Sequence, residues 1–364
     1  MYRPHAMRSM VFYVTAAAAA VLLSGCGINL SNNAASSGGA VTSSQQRPLT
    51  APTLGYVWDP ATGLLRGING VPGAAVLSTT GNIGSGFLTA AASASQGYAL
   101  LLGSGTASSA KAGSLYLATL PGGSPRQLAS GQWTSIVLSA SGSYALAYST
   151  ASQTAVLVSG LPQQPAVQAI NLNGAAQLLT AAVSDTGVAL VATAADSSGS
   201  FPLFAVSSAN SPRRVSSVGS AAGLAFIPAT DTALAADATS GAIQKITAVG
   251  SSPAVTTLSG SGLPQSVGLD VTSDAHYAVV ANAAGRFLRV DLTGQSPAAY
   301  AQCNCTPVTV SALTGSAVRF TAPGNGPIWI VNAGDSALKS LFIPYQTGLA
   351  ATSVQPASKP GGAL

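Results

Sequence analysis

Glutamate is absent from this chain: all nine acidic residues are aspartates, and lysine occurs four times. Charged residues make up 6 % of the 364 positions, against about a quarter in an ordinary soluble domain. Solvent-facing helices draw heavily on Glu and Lys, so the shortage argues against long solvated helices. Intrinsic disorder is excluded as well, because it needs low hydrophobicity joined to high charge and here 47 % of residues are hydrophobic. Runs of basic residues are missing, the longest being the pair Arg213 and Arg214, so the net charge of +5 carries no nucleic-acid footprint. Motifs for nucleotide or nucleophilic chemistry are also lacking: there is no phosphate loop, no Gly-x-Ser-x-Gly elbow and no His-x-x-x-His pair. What the chain has in abundance is Gly (40) and Pro (21), with many Ser, Thr and Ala, the composition of a turn-rich all-β protein. Its length exceeds one small sandwich and suits a single large repeat domain.

Residues 1–25 read as an export signal, in which Arg3, His5 and Arg8 precede an apolar run from Val11 to Leu23. Such a run spans about 20 Å as a helix, short of the ~30 Å hydrocarbon core, so it is an h-region and not a membrane span. It ends in Leu23-Ser24-Gly25-Cys26, which resembles the lipobox of bacterial lipoproteins. The resemblance implies cleavage between Gly25 and Cys26, a diacylglycerol on Cys26, and membrane attachment through that lipid. Stable anchoring takes two or more acyl chains. Gly27 stands where Asp would signal retention at the inner membrane, so the resemblance implies the bacterial cell envelope, with the outer membrane favoured. The alternative is a plain secretory signal with Cys26 as an incidental thiol. Without Arg3 and Arg8 the net charge falls from +5 to +3. From Cys26 to Pro52, small and polar residues without periodicity predict a flexible tether with a reach of roughly 25–30 Å.

Beyond the tether the sequence repeats. Ser93-Ala-Ser-Gln-Gly-Tyr-Ala-Leu100 returns as Ser139-Ala-Ser-Gly-Ser-Tyr-Ala-Leu146, then in looser form from Ser184 and from Thr272. Taking the residue that follows each such turn gives Tyr56, Tyr98, Tyr144, Val188, Ala233, Tyr277 and Pro327, with spacings of 42 to 50 residues. That period, with several short strands per unit, fits a propeller blade of about 40–50 residues and four strands. In the unit after Trp133, apolar runs beginning at Ser135, Tyr144, Thr154 and Ala166 predict the four strands, and their continuous hydrophobicity predicts burial on both faces. Seven third strands but only six first strands can be read, because nothing strand-like immediately precedes the unit at Tyr56. Either Val41 to Leu49 or Ala350 to Gln355 would complete it. The fold predicted is a seven-bladed β-propeller, with six or eight blades as alternatives; a pair of β-sandwiches would not give even spacing. Tyr277-Ala-Val-Val-Ala-Asn282 followed by Phe287 to Leu292, and Ile328-Trp-Ile-Val-Asn332 followed by Leu338 to Phe342, resemble the YVTN and NHL classes of β-propeller. The resemblance implies an architecture, not an activity, since such propellers include binding proteins and lactone-processing enzymes.

Chemistry is thinly supplied. Once the signal is removed, His276 is the sole histidine, and it reads as an exposed turn residue in Ser273-Asp-Ala-His-Tyr277. Cys303 and Cys305 fall in the insertion that lengthens the last spacing. In an exported protein, such a pair closes a small disulfide or remains two thiols, and two thiolates with no nearby His fall short of a four-ligand metal site. Calcium needs several convergent oxygens, and no Asp-x-Asp-x-Asp run exists. Turns between second and third strands share one propeller face with the links between blades. That face is expected to gather Trp58, Asp59, Trp133, Asp237, Asn282 and Asp335 as a candidate binding face, although Asn, Asp and Gly also populate tight turns for conformational reasons alone. Trp329 reads as second-strand core, and Asp270 and Arg319 as the only charged residues on first strands.

The expected organisation is a signal peptide (1–25), a lipidated cysteine and tether (26–52), a β-propeller (53–356) and a tail (357–364). The expected role is a non-catalytic binding or scaffolding module, monomeric, tied to the membrane by its lipid and facing an envelope protein or a glycan. A lactonase-like hydrolase working in the central channel and a subunit of an outer-membrane assembly complex are the alternatives. Neither cofactor, metal nor nucleic acid is implied.

Overall fold

A computed structural model describes residues 52–345, apart from 79–82, 84–85, 106–111, 152, 171, 173–176, 209–210, 259–261 and 322–325. The signal segment, Cys26, the tether before Pro52, both candidate completing stretches (41–49 and 350–355) and the tail lie outside the described residues. Among those described, 27 strands form seven antiparallel sheets, six of four strands and one of three, and strands adjacent in the chain are adjacent in the sheet.

Seven clusters of buried side chains hold these sheets together, each joining two successive ones. Six such clusters would leave an open arc. The seventh packs Val57, Ile68 and Leu77 of the first sheet against Leu313, Ile330 and Ile343 of the last, and it closes the ring. The chain folds as a seven-bladed β-propeller.

The apolar runs occupy the places their composition suggests. The second strand of blade 2, Tyr98–Gly103, is buried along its whole length between neighbouring blades, whereas the outermost strand of blade 5, Ala254–Thr257, is exposed along its whole length. Small residues mark where first strands crowd round the axis. A Cβ on Gly223 would stand 2.5 Å from the backbone nitrogen of Leu269, and one on Gly268 2.7 Å from that of Val310, so only glycine lets these neighbours approach.

The repeated turn sequence has a physical cause. The hydroxyls of Ser93, Ser139, Ser184 and Thr272, all buried, accept the backbone N–H of Tyr98 (3.4 Å), Tyr144 (3.2 Å), Val188 (3.0 Å) and Tyr277 (3.0 Å). Each closes the hairpin between first and second strands and satisfies a donor that would otherwise be buried alone. These turns share the lower face of the ring and bond to each other across blades. Asp185 of blade 4 accepts the N–H of Ser141 in blade 3 at 2.7 Å and of Ala229 in blade 5 at 2.9 Å, each 44 residues away. Burial raises the Asp185 carboxyl, but the bonds from Ser141 and Ala229 outweigh it and hold the pKa below the ordinary range.

Blade 1 consists of Thr53–Asp59, Leu64–Asn69 and Val76–Leu77. In blades 2, 3, 5 and 6 a residue just before the second strand accepts a hydrogen bond from one just past the third: Gly97 from Leu120, Ser143 from Leu161, Asp231 from Val249, and His276 from Leu292. Gly70 repeats this by donating to the Pro52 carbonyl at 2.7 Å. Thr53–Asp59 is therefore a second strand rising from the lower face to the upper, and blade 1 has no first strand among the described residues.

Blade 7 departs from the sequence reading. Its first strand is Ser311–Ala312, beside the first strand of blade 6, and Ala317–Arg319 is its second. Ile328–Asn332 is thus the third strand and Ser340–Ile343 the fourth, so Arg319 and Trp329 each lie one strand further out than their sequence implied. A two-residue strand following a Cys- and Pro-containing insertion has no periodicity by which to be recognised.

Candidate functional site

Of the six residues expected to form a binding face, Trp58, Asp59, Trp133, Asp237 and Asn282 stand at the upper face, and their polar atoms are mostly engaged within the fold. Asp59 is fully buried at the end of its strand, where it accepts bonds from Arg66 Nη1 (3.1 Å), the Ala61 N–H (3.1 Å) and Tyr345 Oη (3.1 Å). Arg66 donates its Nε to the Ser78 carbonyl at 2.9 Å and lies 5.6 Å from the Tyr345 ring centre. This trio ties the end of blade 7 to blade 1. Asp237 Oδ1 accepts the N–H groups of Ser220 (3.0 Å) and Thr239 (2.9 Å), and Oδ2 the Ser240 hydroxyl (2.7 Å). Burial raises its pKa, yet these bonds bring it below the usual carboxylate range. Asn282 closes its turn by accepting the Arg286 N–H at 3.0 Å. Trp133 is buried in the core between blades 2 and 3. Trp58 packs between blades 1 and 2 and lines the channel, with an indole N–H that finds no acceptor among the described residues. Asp335 lies apart on the lower face, between the third and fourth strands of blade 7, where it accepts a bond from Asn332 Nδ2 at 2.8 Å.

Cys303 and Cys305 are joined by a disulfide with Cα atoms 5.2 Å apart. It lies over the turn of blade 6 at Gly285, whose φ of +81° and a Cβ position 2.7 Å from two carbonyl oxygens of the disulfide loop require glycine. His276 is on the lower face, exposed, with Nδ1 3.7 Å from Asp274 Oδ2.

The central channel encloses about 700 Å³. Its wall consists mostly of Ala, Val, Leu, Ser, Thr and Gly from the inner strands, and among the described residues its only charged lining residues are Asp270 and Arg319. Asp270 accepts the N–H of Val271 (2.8 Å) and of Ala312 (2.7 Å). Burial pushes its pKa up to about 6, against the pull of those N–H groups and of Arg319. Arg319 donates to the Thr321 carbonyl at 3.0 Å and to the Ser311 hydroxyl at 3.2 Å, while its buried Nε finds no partner among the described residues. Burial lowers its pKa to about 10.

Sequence reasoning missed exposed apolar side chains where first strands begin. The first strands of blades 2 and 4 begin with a register shift at Leu88 and Leu179, a bulge of the kind that re-aims a side chain at a sheet rim. Both leucines are exposed, as is Val308 just before the first strand of blade 7. Leu88 and Leu179 thus hold the same bulged position in blades 2 and 4, whereas Val308 lies three residues before the first strand of blade 7. Only the bulge, which a sequence does not announce, sets Leu88 and Leu179 apart from core leucines.

No family model matches the chain, and no curated protein matches it. Solved structures do. The chain is similar to virginiamycin B lyase from Staphylococcus aureus, with 14 % identity and a TM-score of 0.52 over 71 % of this chain and 84 % of that one. The likeness is one of fold. AztD from Citrobacter koseri matches at 14 % identity with a TM-score of 0.53, covering 80 % of this chain and 82 % of its own. The β-propeller domain of Cps50 (Swd1) from Myceliophteria thermophila matches at 15 % identity with a TM-score of 0.52, covering 72 % and 88 %.

Proposed function

We propose that the chain is an exported lipoprotein, acylated at Cys26, whose propeller binds an envelope protein as a non-catalytic scaffolding module. The observation that carries the binding reading is the exposure of Leu88 and Leu179 at the bulged starts of two first strands and of Val308 before a third, while most large apolar side chains pack inside. Exposed apolar groups suit a protein partner. A glycan platform has less support, because the Trp133 ring is buried. Anchoring is supported by Leu23-Ser24-Gly25-Cys26 at the end of the h-region. Affinity capture from detergent-solubilised envelopes tests the reading: the lipidated protein is expected to enrich one envelope component, and a variant with L88S, L179S and V308S to lose it while retaining its circular dichroism. Equal capture by both would contradict the reading.

A second reading, a hydrolase acting in the channel, draws on one observation: Asp270 faces the channel with its pKa moved to about 6, a value suited to proton transfer near neutral pH. Lactone turnover lost in Asp270→Asn would establish that reading in place of the first.

A further inference from the structure

We propose that the central channel holds a small carboxylate with an apolar tail, its head on the guanidinium of Arg319 and its tail against the inner strands. Arg319 has no part in either role proposed above. It enters the channel wall from an unusual place. In blades 2 to 7 every other described lining residue belongs to a first strand or to the turns and links that flank it, whereas Arg319 sits on the second strand of blade 7, opposite Ser311. The first strand there is only Ser311–Ala312, and serine is small, so the longer side chain behind it reaches the channel.

The charge of Arg319 has no counter-charge. Among the described residues the ion pairs within 4.0 Å join Arg66 to Asp59, Arg214 to Asp196 and His276 to Asp274, and none involves Arg319. All nine aspartates are described and the chain has no glutamate, so no further acidic side chain exists to supply one. A guanidinium drawn from bulk water is costly unless it is paired. The Thr321 carbonyl and the Ser311 hydroxyl take two of its five N–H groups, and the remainder, Nε among them, have no acceptor among the described residues. A carboxylate brings one negative charge and two acceptor oxygens in the plane of such a fork.

One cation selects a monoanion. A phosphate dianion would call for a second cation, and the other charged lining residue among those described is an aspartate, Asp270. The two charged groups flank one dipeptide: Asp270 accepts the Ala312 N–H at 2.7 Å and Arg319 donates to the Ser311 hydroxyl at 3.2 Å. An ionised Asp270 therefore opposes any anion held at Arg319, and the burial that raises its pKa to about 6 softens that opposition in mildly acidic solution. The rest of the wall, mostly small and apolar, suits a hydrocarbon tail, since a ligand rich in hydroxyls would leave polar groups without partners there. A volume of about 700 Å³ falls within the roughly 300–1,000 Å³ of small-molecule sites.

Hexanoate is the probe, titrated into the purified protein at neutral pH and followed by calorimetry. Saturable binding in the millimolar range or tighter is expected. Arg319→Gln is expected to weaken it tenfold or more, and Asp270→Asn to tighten it severalfold, because Asn sets no charge against the ligand. The hydrolase role instead requires that Asp270→Asn abolish turnover, so the two fail separately. The variant with L88S, L179S and V308S is expected to bind hexanoate as the wild type does, which separates this site from the docking surface. If Arg319→Gln fails to fold, hexanamide titrated into the wild type takes its place: it keeps the tail without the charge and is expected to bind at least tenfold more weakly than hexanoate. Absence of saturable hexanoate binding, equal affinity in Arg319→Gln, equal affinity for hexanamide, or an affinity that Asp270→Asn leaves unchanged overturns the proposal.

Discussion

Replacing Asp270 with Asn removes the one carboxylate that the described residues place on the channel wall, and the pH dependence of stability then reports what its burial costs. Burial raises its pKa from 3.8 to about 6, and each tenfold change in proton affinity corresponds to about 1.4 kcal/mol. A change of roughly a hundredfold sets an upper bound of ~3 kcal/mol, and water in the channel reduces this to roughly 2 kcal/mol. The sign follows from proton binding. Between about pH 4 and 6 the folded chain keeps a proton that the unfolded chain has released, so stability falls as pH rises through this window and stays lower above it. Asn does not titrate, and its amide oxygen can still accept the N–H of Val271 or Ala312, now 2.8 and 2.7 Å from the carboxylate. Urea denaturation of both proteins at about pH 4.5 and about pH 7.5 is the assay. The variant should gain roughly 1–2 kcal/mol relative to the wild type between the lower and the higher pH. A difference independent of pH would refute the argument that the fold buries a charge there.

Asp185→Ala leaves the N–H groups of Ser141 and Ala229 without their acceptor and is expected to cost roughly 2 kcal/mol in a denaturant melt at neutral pH. Because the folded pKa of Asp185 is depressed, the wild-type advantage is present above about pH 4 and vanishes as pH falls below its folded value, which melts at low pH will register. Gly268→Val drives a side chain into the backbone of Val310 and should destabilise by about 1–3 kcal/mol, while Gly326→Val, with open space around it, should stay within about 0.5 kcal/mol by the same measurement. Ser184→Ala removes the hydroxyl that accepts the Val188 N–H at 3.0 Å and is expected to lower stability by about 1–2 kcal/mol.

The ring was legible because its period is physical. The spacing read from Tyr98 to Tyr144 and onward reappears as bonds between residues 42 or 44 apart, from Asp185 to its two neighbours and from Asp270 to Ala312. The turn motif was legible for the same reason, since its Ser or Thr performs one task in four blades. Blade 7 was misread where a strand shrinks to Ser311–Ala312, too short to carry a pattern. The candidate face was harder still. Aspartate at a turn looks the same in sequence whether it meets a ligand or, like Asp237, caps its own loop, and the partners that decide the matter for Asp59 are Arg66 and the distant Tyr345. The exposed Leu88 and Leu179 could not be told from core leucines, because the bulges that turn them outward depend on strand register.

The proposed anchoring is decided most directly by the intact mass of the mature chain extracted from envelopes of a bacterium that processes lipoproteins. A chain beginning at Cys26 and carrying at least two acyl chains is the predicted result. A mature chain that begins elsewhere, or one whose Cys26 bears no fatty acid, contradicts it.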